Sequence, residues 1–199
     1  MADATIETDG RRAKRVANRK AVLDALTALW EEGRFGASTN EIAERAGISA
    51  RSLFRYFDDV DDMVMAASAR GIEEARPLLA VHAKPEQPTA AKAAALAHSR
   101  VRLYRTRWAS MRAIRMAVHR NAAAAAQVAQ ATAWWRDQVS WLFAPELTAL
   151  AADDAERTTS LLAVLVSFDA WEVLVAEGRA DDEIEATLAA GVLRLLRAD

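Results

Sequence analysis

Residues 38–57 of this 199-residue chain read STNEIAERAGISARSLFRYF, a stretch that predicts two short helices joined by a tight turn. Ser38 and Glu41 have the spacing of a capping box, in which the serine hydroxyl accepts a bond from a backbone N–H and the glutamate reaches back. The helix that they open should end at Gly47, because glycine adopts a positive φ without steric cost. The first helix is therefore predicted to be short.

The second helix of this stretch should begin after Ser49, whose hydroxyl is suited to capping it. Leu53, Phe54 and Phe57 recur at helical spacing, so we assign all three to a small core. The other positions then face outward, where an arginine can pair with guanine O6 and N7 and a hydroxyl can contact phosphate. These positions are Arg51, Ser52, Arg55 and Tyr56. For Tyr56, a packing role is as good an interpretation as a phosphate contact.

A basic helix is predicted upstream of this pair. Residues 11–20, RRAKRVANRK, hold six basic side chains and no acid, and residues 11–57 carry ten Lys and Arg against five Asp and Glu. The apolar positions that recur here at helical spacing are Val16, Leu23, Leu26 and Trp30. Because the whole chain has a formal net charge of −2, the positive field is local to this region and suits nucleic-acid phosphate.

Residues 19–65 resemble the N-terminal domain of the TetR (tetracycline-repressor-like) transcription factors. The resemblance is carried by EEGRFGAST at 31–39, by the turn from Ile42 to Ser49, and by LFRYF at 53–57 followed by an acidic stretch and Met63. It implies a homodimer whose second and third helices bind each half of a palindromic operator on double-stranded DNA. It also implies a divergent C-terminal domain that binds a small-molecule effector.

The resemblance assigns contacts by position. Ser38 and Thr39 would contact phosphate, the positions from Ser49 to Ser52 with Arg55 would face the major groove, and Tyr56 would contact the backbone. The family often has a lysine just after the aromatic pair, whereas this chain has DDVDD at 58–62. Since those acids repel phosphate, we expect the basic helix, including Arg11 and Arg15, to supply more of the nonspecific affinity.

The composition predicts an all-helical protein. Hydrophobic residues make up 52% of the chain, glycine and proline are scarce, and no alternating β pattern persists. We divide the chain into a disordered tail at 1–10, a helix-turn-helix DNA-binding domain at 11–58 and a helical ligand-binding and dimerisation domain at 59–199. A polar N-terminus unlike a signal peptide, together with apolar runs too short to cross a bilayer, leads us to expect a cytoplasmic location.

Enzymatic function has no candidate residues in this sequence. There is no cysteine, so disulfides and thiol catalysis are excluded. The three histidines are scattered, none has zinc-binding spacing with an acid, and no glycine-rich loop precedes a helix. We therefore expect no catalytic residue, no metal and no cofactor.

The C-terminal part should consist of long helices with breaks at prolines. A helix from Val60 is expected to kink or end early at Pro77, another begins near Thr89, and Pro145 should close a third. The last two helices are predicted at 154–177 and 181–196, each opened by a capping aspartate. The first of them is apolar almost all round, so it needs cover on two sides.

Two sets of residues are candidates for binding in this part. Aromatic and sulfur side chains of the middle and late helices can line an apolar effector pocket, although each can equally be plain core. They are Tyr104, Trp108, Met111, Trp134, Trp135, Trp141, Phe168 and Trp171. The candidate dimer interface consists of Leu161, Leu165, Ile184, Leu188, Val192 and Leu195. Several arginines between 100 and 120 can include an anion anchor, but most should be solvated.

The sequence favours a dimeric, ligand-responsive transcriptional regulator that acts as a repressor. One alternative is a helical protein-interaction module that kept the fold but lost DNA binding, which the acidic run at 58–62 would favour. Arg51 and Arg55 argue against it. A ligand-carrier bundle is another alternative, but it leaves the N-terminal third without a role.

Overall fold

The computed structural model describes residues 3–197, with side chains from residue 10 onward, and this range contains helices but no strand. The predicted all-helical class is confirmed. The elements in chain order are α1 (Asp3–Glu31), α2 (Thr39–Arg45), α3 (Ala50–Leu53), α4 (Val60–Ala75), a 3₁₀ turn (Arg76–Leu78), α5 (Thr89–Ala117), α6 (Ala122–Leu142), α7 (Ala144–Leu147), α8 (Ala152–Leu165), α9 (Phe168–Ala176) and α10 (Asp181–Leu195).

The N-terminus differs from the predicted tail at 1–10, because α1 already begins at Asp3. The remainder of that prediction, Met1 and Ala2, lies outside the described residues.

Prolines limit the helices in two ways. Helix α4 ends at Ala75 and Pro77 lies in the 3₁₀ turn, as expected for a residue that cannot donate a backbone bond within a helix. Pro145 does not close α6, which already ends at Leu142; it lies in the first turn of α7. The missing N–H of proline has no cost at that position.

The helix predicted at 154–177 is two helices. Ser167 separates them, and its hydroxyl accepts a bond from the N–H of Ala170 at 3.2 Å, so that α9 starts with its own N-cap. Alanines, not the predicted aspartates, occupy the N-cap positions of α8 and α10, and the acids lie in the first turn instead. In α8 they act on the helix dipole, whereas in α10 the Glu183 carboxylate also accepts a hydrogen bond from the N–H of Ala180 at 2.9 Å.

Within the described range, no single helix is long and apolar enough to cross a membrane. Helices α8 and α9 together reach that length and apolar content, but the chain bends by 48° between them.

Two compact units divide the chain. The first contains the residues up to Glu73 together with Ala109–Ala125, and the second contains Glu74–Trp108 and the residues from Ala126 onward. The position 58/59, where a domain boundary is expected, lies inside the first unit, which takes in most of α4; Arg70 of α4 donates there to Asp24 of α1 at 2.6 Å.

An apolar core lies in the second unit. Its buried residues come from the segment before α5 and from α5, α6, α7, α8 and α10: Ala83, Ala93, Leu96, Val139, Leu142, Phe143, Leu147, Leu162, Val166 and Val192. Helix α10 closely approaches α8 at Gly191, where an added Cβ would lie 2.8 Å from Leu165 Cδ2. A larger residue at 191 would therefore push these helices apart or displace Leu165.

Candidate nucleic-acid interface

A small core holds α1, α2 and α3 together in the first unit. Trp30, Ile42, Leu53 and Phe57 are at most 2% exposed. Of the apolar positions predicted for α1, Leu23, Leu26 and Trp30 are buried, whereas Val16 is 64% exposed. Val16 lies in the N-terminal half of α1, where the side chains from residue 10 to 17 are all exposed, so its apolar spacing there does not correspond to a packed face.

The start and the end of α2 confirm the sequence interpretation. Ser38 is the N-cap, with its hydroxyl accepting from the N–H of Glu41 at 3.3 Å and its own N–H donating to the Glu41 carboxylate at 2.7 Å. Gly47 follows the helix with a φ of +68°, in the left-handed region that glycine favours. The turn between α2 and α3 is therefore built by local sequence.

Helix α3 is shorter than predicted, which changes the position of Phe54. Ser49 caps the helix by accepting from the N–H of Ser52 at 3.2 Å, and the helix ends at Leu53. Leu53 and Phe57, four residues apart, are the inward pair, while Phe54 is 52% exposed. The assignment of Phe54 to the core was wrong, since it lies about 100° around the helix from Leu53.

The outward face of α3 and the turn after it carries three long side chains: Arg51, Phe54 and Arg55. Neither arginine has an ion-pair partner among residues 10–197. Other cations of the region are neutralised, since Arg34 pairs with Glu41 and Arg45 makes two bonds to Glu32, at 2.7 and 3.0 Å. The positive charge that is left without a partner therefore includes the face of α3.

Tyr56 is fixed by a contact that the sequence did not reveal. Its hydroxyl accepts a bond from the side-chain amide of Asn18 at 2.8 Å. One residue on from each, the Arg19 guanidinium lies 4.8 Å from the centre of the Phe57 ring. These contacts hold the middle of α1 against the segment that follows α3. Both interpretations of Tyr56 are compatible with its half-buried position.

The acidic run at 58–62 has a structural role at the start of α4. The Asp59 carboxylate accepts from the N–H of Asp62 at 2.7 Å, and the Asp62 carboxylate accepts from the N–H of Asp58 at 3.2 Å. Asp61 pairs with Arg120 at 3.1 Å. Hydrogen bonds to backbone N–H groups and one ion pair thus involve three of the four acids in this run.

The remaining residues predicted to contact DNA are all at or near the surface. Ser38 and Ser49 are exposed but use their hydroxyls as caps, Thr39, Ala50 and Ser52 are half-buried, and Arg11 and Arg15 are exposed on α1. At such helix starts, backbone N–H groups are available to phosphate oxygens.

The predicted effector residues do not form one group. Tyr104, Phe168 and Trp171 are buried and pack together, with ring centres 5.5 to 6.0 Å apart. By contrast, Trp134 and Trp141 are 43% and 54% exposed. Three further predicted residues are half-buried, Trp108 and Trp135 in the second unit and Met111 in the first.

The residues predicted for a dimer interface also separate. Ile184, Leu188 and Val192 are completely buried in the core of the chain itself, so they have no surface to offer a partner. Leu165 and Leu195 are half-buried, and Leu161 is 54% exposed. Two apolar residues that the prediction omitted, Val164 and Val173, are 67% and 59% exposed. The prediction assigned the apolar stripe of α10 to the dimer interface, but this stripe faces the core. Sequence alone does not separate the two cases, because a core-facing stripe and a partner-facing stripe are both apolar.

No group of three or more histidines or acids in the described part of the chain is arranged to hold a metal ion.

Comparisons with known proteins agree with this architecture. Residues 22–67 match the family model of bacterial regulatory proteins, tetR family. Uncharacterized HTH-type transcriptional regulators of two Mycobacterium tuberculosis strains are 37% identical over 71 residues, which is 33% of this chain and 30% of the relative. The match thus spans less than a third of the length of those relatives.

Solved structures resemble the chain over most of its length. A transcriptional regulator from Rhodococcus sp. Rha1 has a TM-score of 0.69 at 20% identity, covering 89% of this chain and 95% of the other. A Rhodococcus sp. protein assigned to the TetR-family transcriptional regulators has a TM-score of 0.68 at 16% identity, covering 90% and 99%. At these identities the likeness concerns the fold. Residues 22–67 are thus similar to the tetR family of bacterial regulatory proteins, and the chain shares its fold with the two solved structures.

Proposed function

We propose that the chain is a transcriptional regulator that binds a palindromic operator as a homodimer and acts as a repressor whose DNA affinity is changed by a small molecule. The observation that carries the DNA-binding part is the outward face of α3. Arg51 and Arg55 are exposed without ion-pair partners in the described chain, and they flank the exposed Phe54. Arginine can read guanine and an aromatic ring can pack on a thymine methyl group, so this face suits the major groove.

The basic half of α1 supports nonspecific affinity. Its Arg11, Arg12, Lys14 and Arg15 side chains are exposed, and the Asn18–Tyr56 hydrogen bond joins the same helix to the segment after α3. Cations on this helix would neutralise phosphates beside the site that α3 reads, and would release condensed counterions.

Dimer formation would explain an apolar surface on α8 and α9. Leu161, Val164 and Val173 are each more than half exposed. A second copy of the chain that packs on them would bury this apolar surface. If this surface is the interface, Leu161→Asp combined with Val164→Asp should turn a dimer into a monomer in sedimentation. A chain that is monomeric without these changes would contradict the dimer.

We propose that the effector site lies in the second unit. Its α5, α6 and α9 carry the buried ring cluster of Tyr104, Phe168 and Trp171 as well as half-buried Trp135. Since the DNA that such a regulator would bind lies in the bacterial cytoplasm, we place the protein there.

Selection of bound fragments from random double-stranded DNA tests the proposal. The purified chain should enrich a palindrome, and Arg51→Ala/Arg55→Ala should fail to enrich it at the same salt concentration. Arg34→Ala/Arg45→Ala is a matched control, because it removes two arginines that are paired with acids at α1 and α2. Absence of any enrichment by a folded wild-type chain would instead favour a protein-interaction module.

A further inference from the structure

Two charged side chains are completely buried in the described part of the chain, Lys92 and Arg100. Lys92 has the partners that a buried charge requires, since its ammonium donates to the Glu146 carboxylate at 2.7 Å and to the Pro85 carbonyl at 2.9 Å. Arg100 has no carboxylate partner among residues 10–197. Both cations lie on α5, but only the charge of Lys92 is neutralised by a carboxylate.

The Arg100 guanidinium is largely unsatisfied. Of its nitrogens, Nη2 donates to Gln138 Oε1 at 2.7 Å, while Nε and Nη1 have no hydrogen-bond partner. Its face lies 3.9 Å from the centre of the Trp135 ring, and this cation–π contact offsets only part of the lost hydration. Burial lowers the pKa of Arg100 to about 10, which still leaves the side chain charged at neutral pH.

Another buried donor without a partner belongs to a side chain that packs on Tyr104. Tyr104 itself lies one helical turn after Arg100 on α5. The indole N–H of Trp171 is buried without a partner, and its ring lies 6.0 Å from that of Tyr104. Tyr104 itself donates to the Val166 carbonyl at 2.7 Å. Unsatisfied buried donors are rare in folded proteins, and the two on Arg100 point to an acceptor that the chain itself does not supply.

We propose that Arg100 is the anchor for a small molecule that carries one carboxylate on an apolar or aromatic body, and that this molecule is the effector. The inference rests on the proposed function. A carboxylate suits guanidinium geometry, and its single negative charge would neutralise the site without adding a second uncompensated ion. A phosphate dianion would leave one negative charge in surroundings that are otherwise apolar. The rings of Trp135 and Tyr104 provide contacts for the body of the ligand.

The position of Gln138 provides a way to connect such a site with the rest of the chain. While its Oε1 accepts from Arg100, its Nε2 donates to the Leu79 carbonyl at 3.2 Å. Leu79 directly follows the 3₁₀ turn that ends α4. A carboxylate that draws Arg100 away from Gln138 would therefore loosen a bond to the segment through which α4 continues into the second unit.

Thermal unfolding of the full chain tests the anchor directly, with sodium benzoate and sodium octanoate as probes and benzamide as a neutral control. We expect each carboxylate to raise the Tm of the wild type, by about 5 to 10 °C at about 100 times its Kd, whereas benzamide leaves it unchanged. Arg100→Met should be at least as stable as the wild type without probe, because it removes an unpaired buried charge, and it should not respond. Arg102→Met, an exposed arginine on the same helix, should respond like the wild type.

Several results would overturn the anchor. The anchor is wrong if the Tm of Arg100→Met still rises with a carboxylate, or if that variant is markedly less stable than the wild type. It is also wrong if phosphate, but neither carboxylate, raises the Tm of the wild type, or if the wild type responds to neither carboxylate. The effect on DNA is measured separately, on the operator found by selection. Benzoate should change the operator affinity of the wild type but not of Arg100→Met, and an anchor that binds benzoate in a chain without operator affinity would refute only the proposed function.

Discussion

The phenolic hydroxyl of Tyr56 accepts a hydrogen bond from the side-chain amide of Asn18 at 2.8 Å, across 38 residues of sequence. This bond joins α1 to the turn after α3, so it fixes the basic helix relative to the side chains that would read DNA. Since a hydrogen bond of this kind contributes about 1 kcal/mol to stability, we expect Tyr56→Phe to lower the free energy of unfolding by about that amount.

A double-mutant cycle with Asn18→Ala isolates the bond, because the gain in helix propensity from alanine cancels in the cycle. The coupling energy from urea unfolding should be about 1 kcal/mol. Additive effects would mean that Asn18 and Tyr56 act independently. If Tyr56 also contacts phosphate, Tyr56→Phe should weaken operator binding equally in both backgrounds.

Leu53 and Phe54 are adjacent in sequence but opposite in environment, which makes them a matched pair. Leu53 is fully buried and Phe54 is 52% exposed. We expect Leu53→Ala to lose about 2 to 5 kcal/mol of stability through the cavity that it leaves, whereas Phe54→Ala should keep the wild-type Tm. Phe54→Ala should instead weaken operator binding.

Fluorescence anisotropy on labelled operator, with unfolding curves for both variants, separates the two effects. An unchanged operator affinity in Phe54→Ala would show that its exposure has no role in DNA contact. A large loss of stability in the same variant would contradict the position that the structure gives to this ring.

The capped helices could be predicted from local sequence signals, whereas the long-range packing could not. The Ser38–Glu41 capping box and the turn at Gly47 depend on neighbours within a few residues, and the structure has both. Phe54 is exposed because it lies about 100° around the helix from Leu53, whereas the prediction placed both residues on the inward face. The hydrogen bond between Asn18 and Tyr56 joins positions that are distant in sequence, and neither residue type predicts it.

The same distinction explains the C-terminal half. Apolar stripes on α8 and α10 indicate burial, but a stripe does not say whether its cover comes from the same chain or from another. The sequence assigned Ile184 and Leu188 to a partner, and they pack inside the chain. Arg100 was one of several arginines on α5, and only the three-dimensional structure distinguishes it as the buried one without a carboxylate.

The basic N-terminal half of α1 should determine how strongly DNA binding depends on salt. We expect replacement of Arg11, Arg12, Lys14 and Arg15 by glutamine to flatten the plot of log K against log salt concentration, by about 0.9 for each phosphate that the variant no longer neutralises. Base preference should change little, since binding to phosphate carries no direct sequence information.

The slope is measured by titration of operator DNA at several potassium chloride concentrations. Lys84→Gln, an exposed cation in the second unit, is the control and should leave the slope as it is in the wild type. A slope unaffected by the four substitutions in α1 would place the nonspecific contacts elsewhere.

The ion pair of the buried Lys92 with the half-buried Glu146 should make the second unit sensitive to acid. Burial by itself raises the pKa of Glu146, but hydrogen bonds from Lys92 and Thr89 outweigh it, so that its pKa in the folded chain lies below the ordinary value. The unfolded chain then binds the proton first as the pH falls. The stabilisation is therefore complete above the unfolded pKa and is lost as the pH drops through the folded one.

Lys92→Met tests this linkage, because it leaves the Glu146 carboxylate without its buried cation. We expect the variant to lose about 3 kcal/mol of unfolding free energy at neutral pH, and the difference from the wild type to narrow as the pH falls from about 5 to about 3. Arg157→Met, which removes an exposed ion pair with Asp154, should cost little at any of these pH values. Urea unfolding across the pH series measures both variants. A Lys92→Met difference that stays constant with pH would mean that the lost stability comes from the packing of Lys92 on the Phe143 ring, 5.2 Å away, and not from its charge.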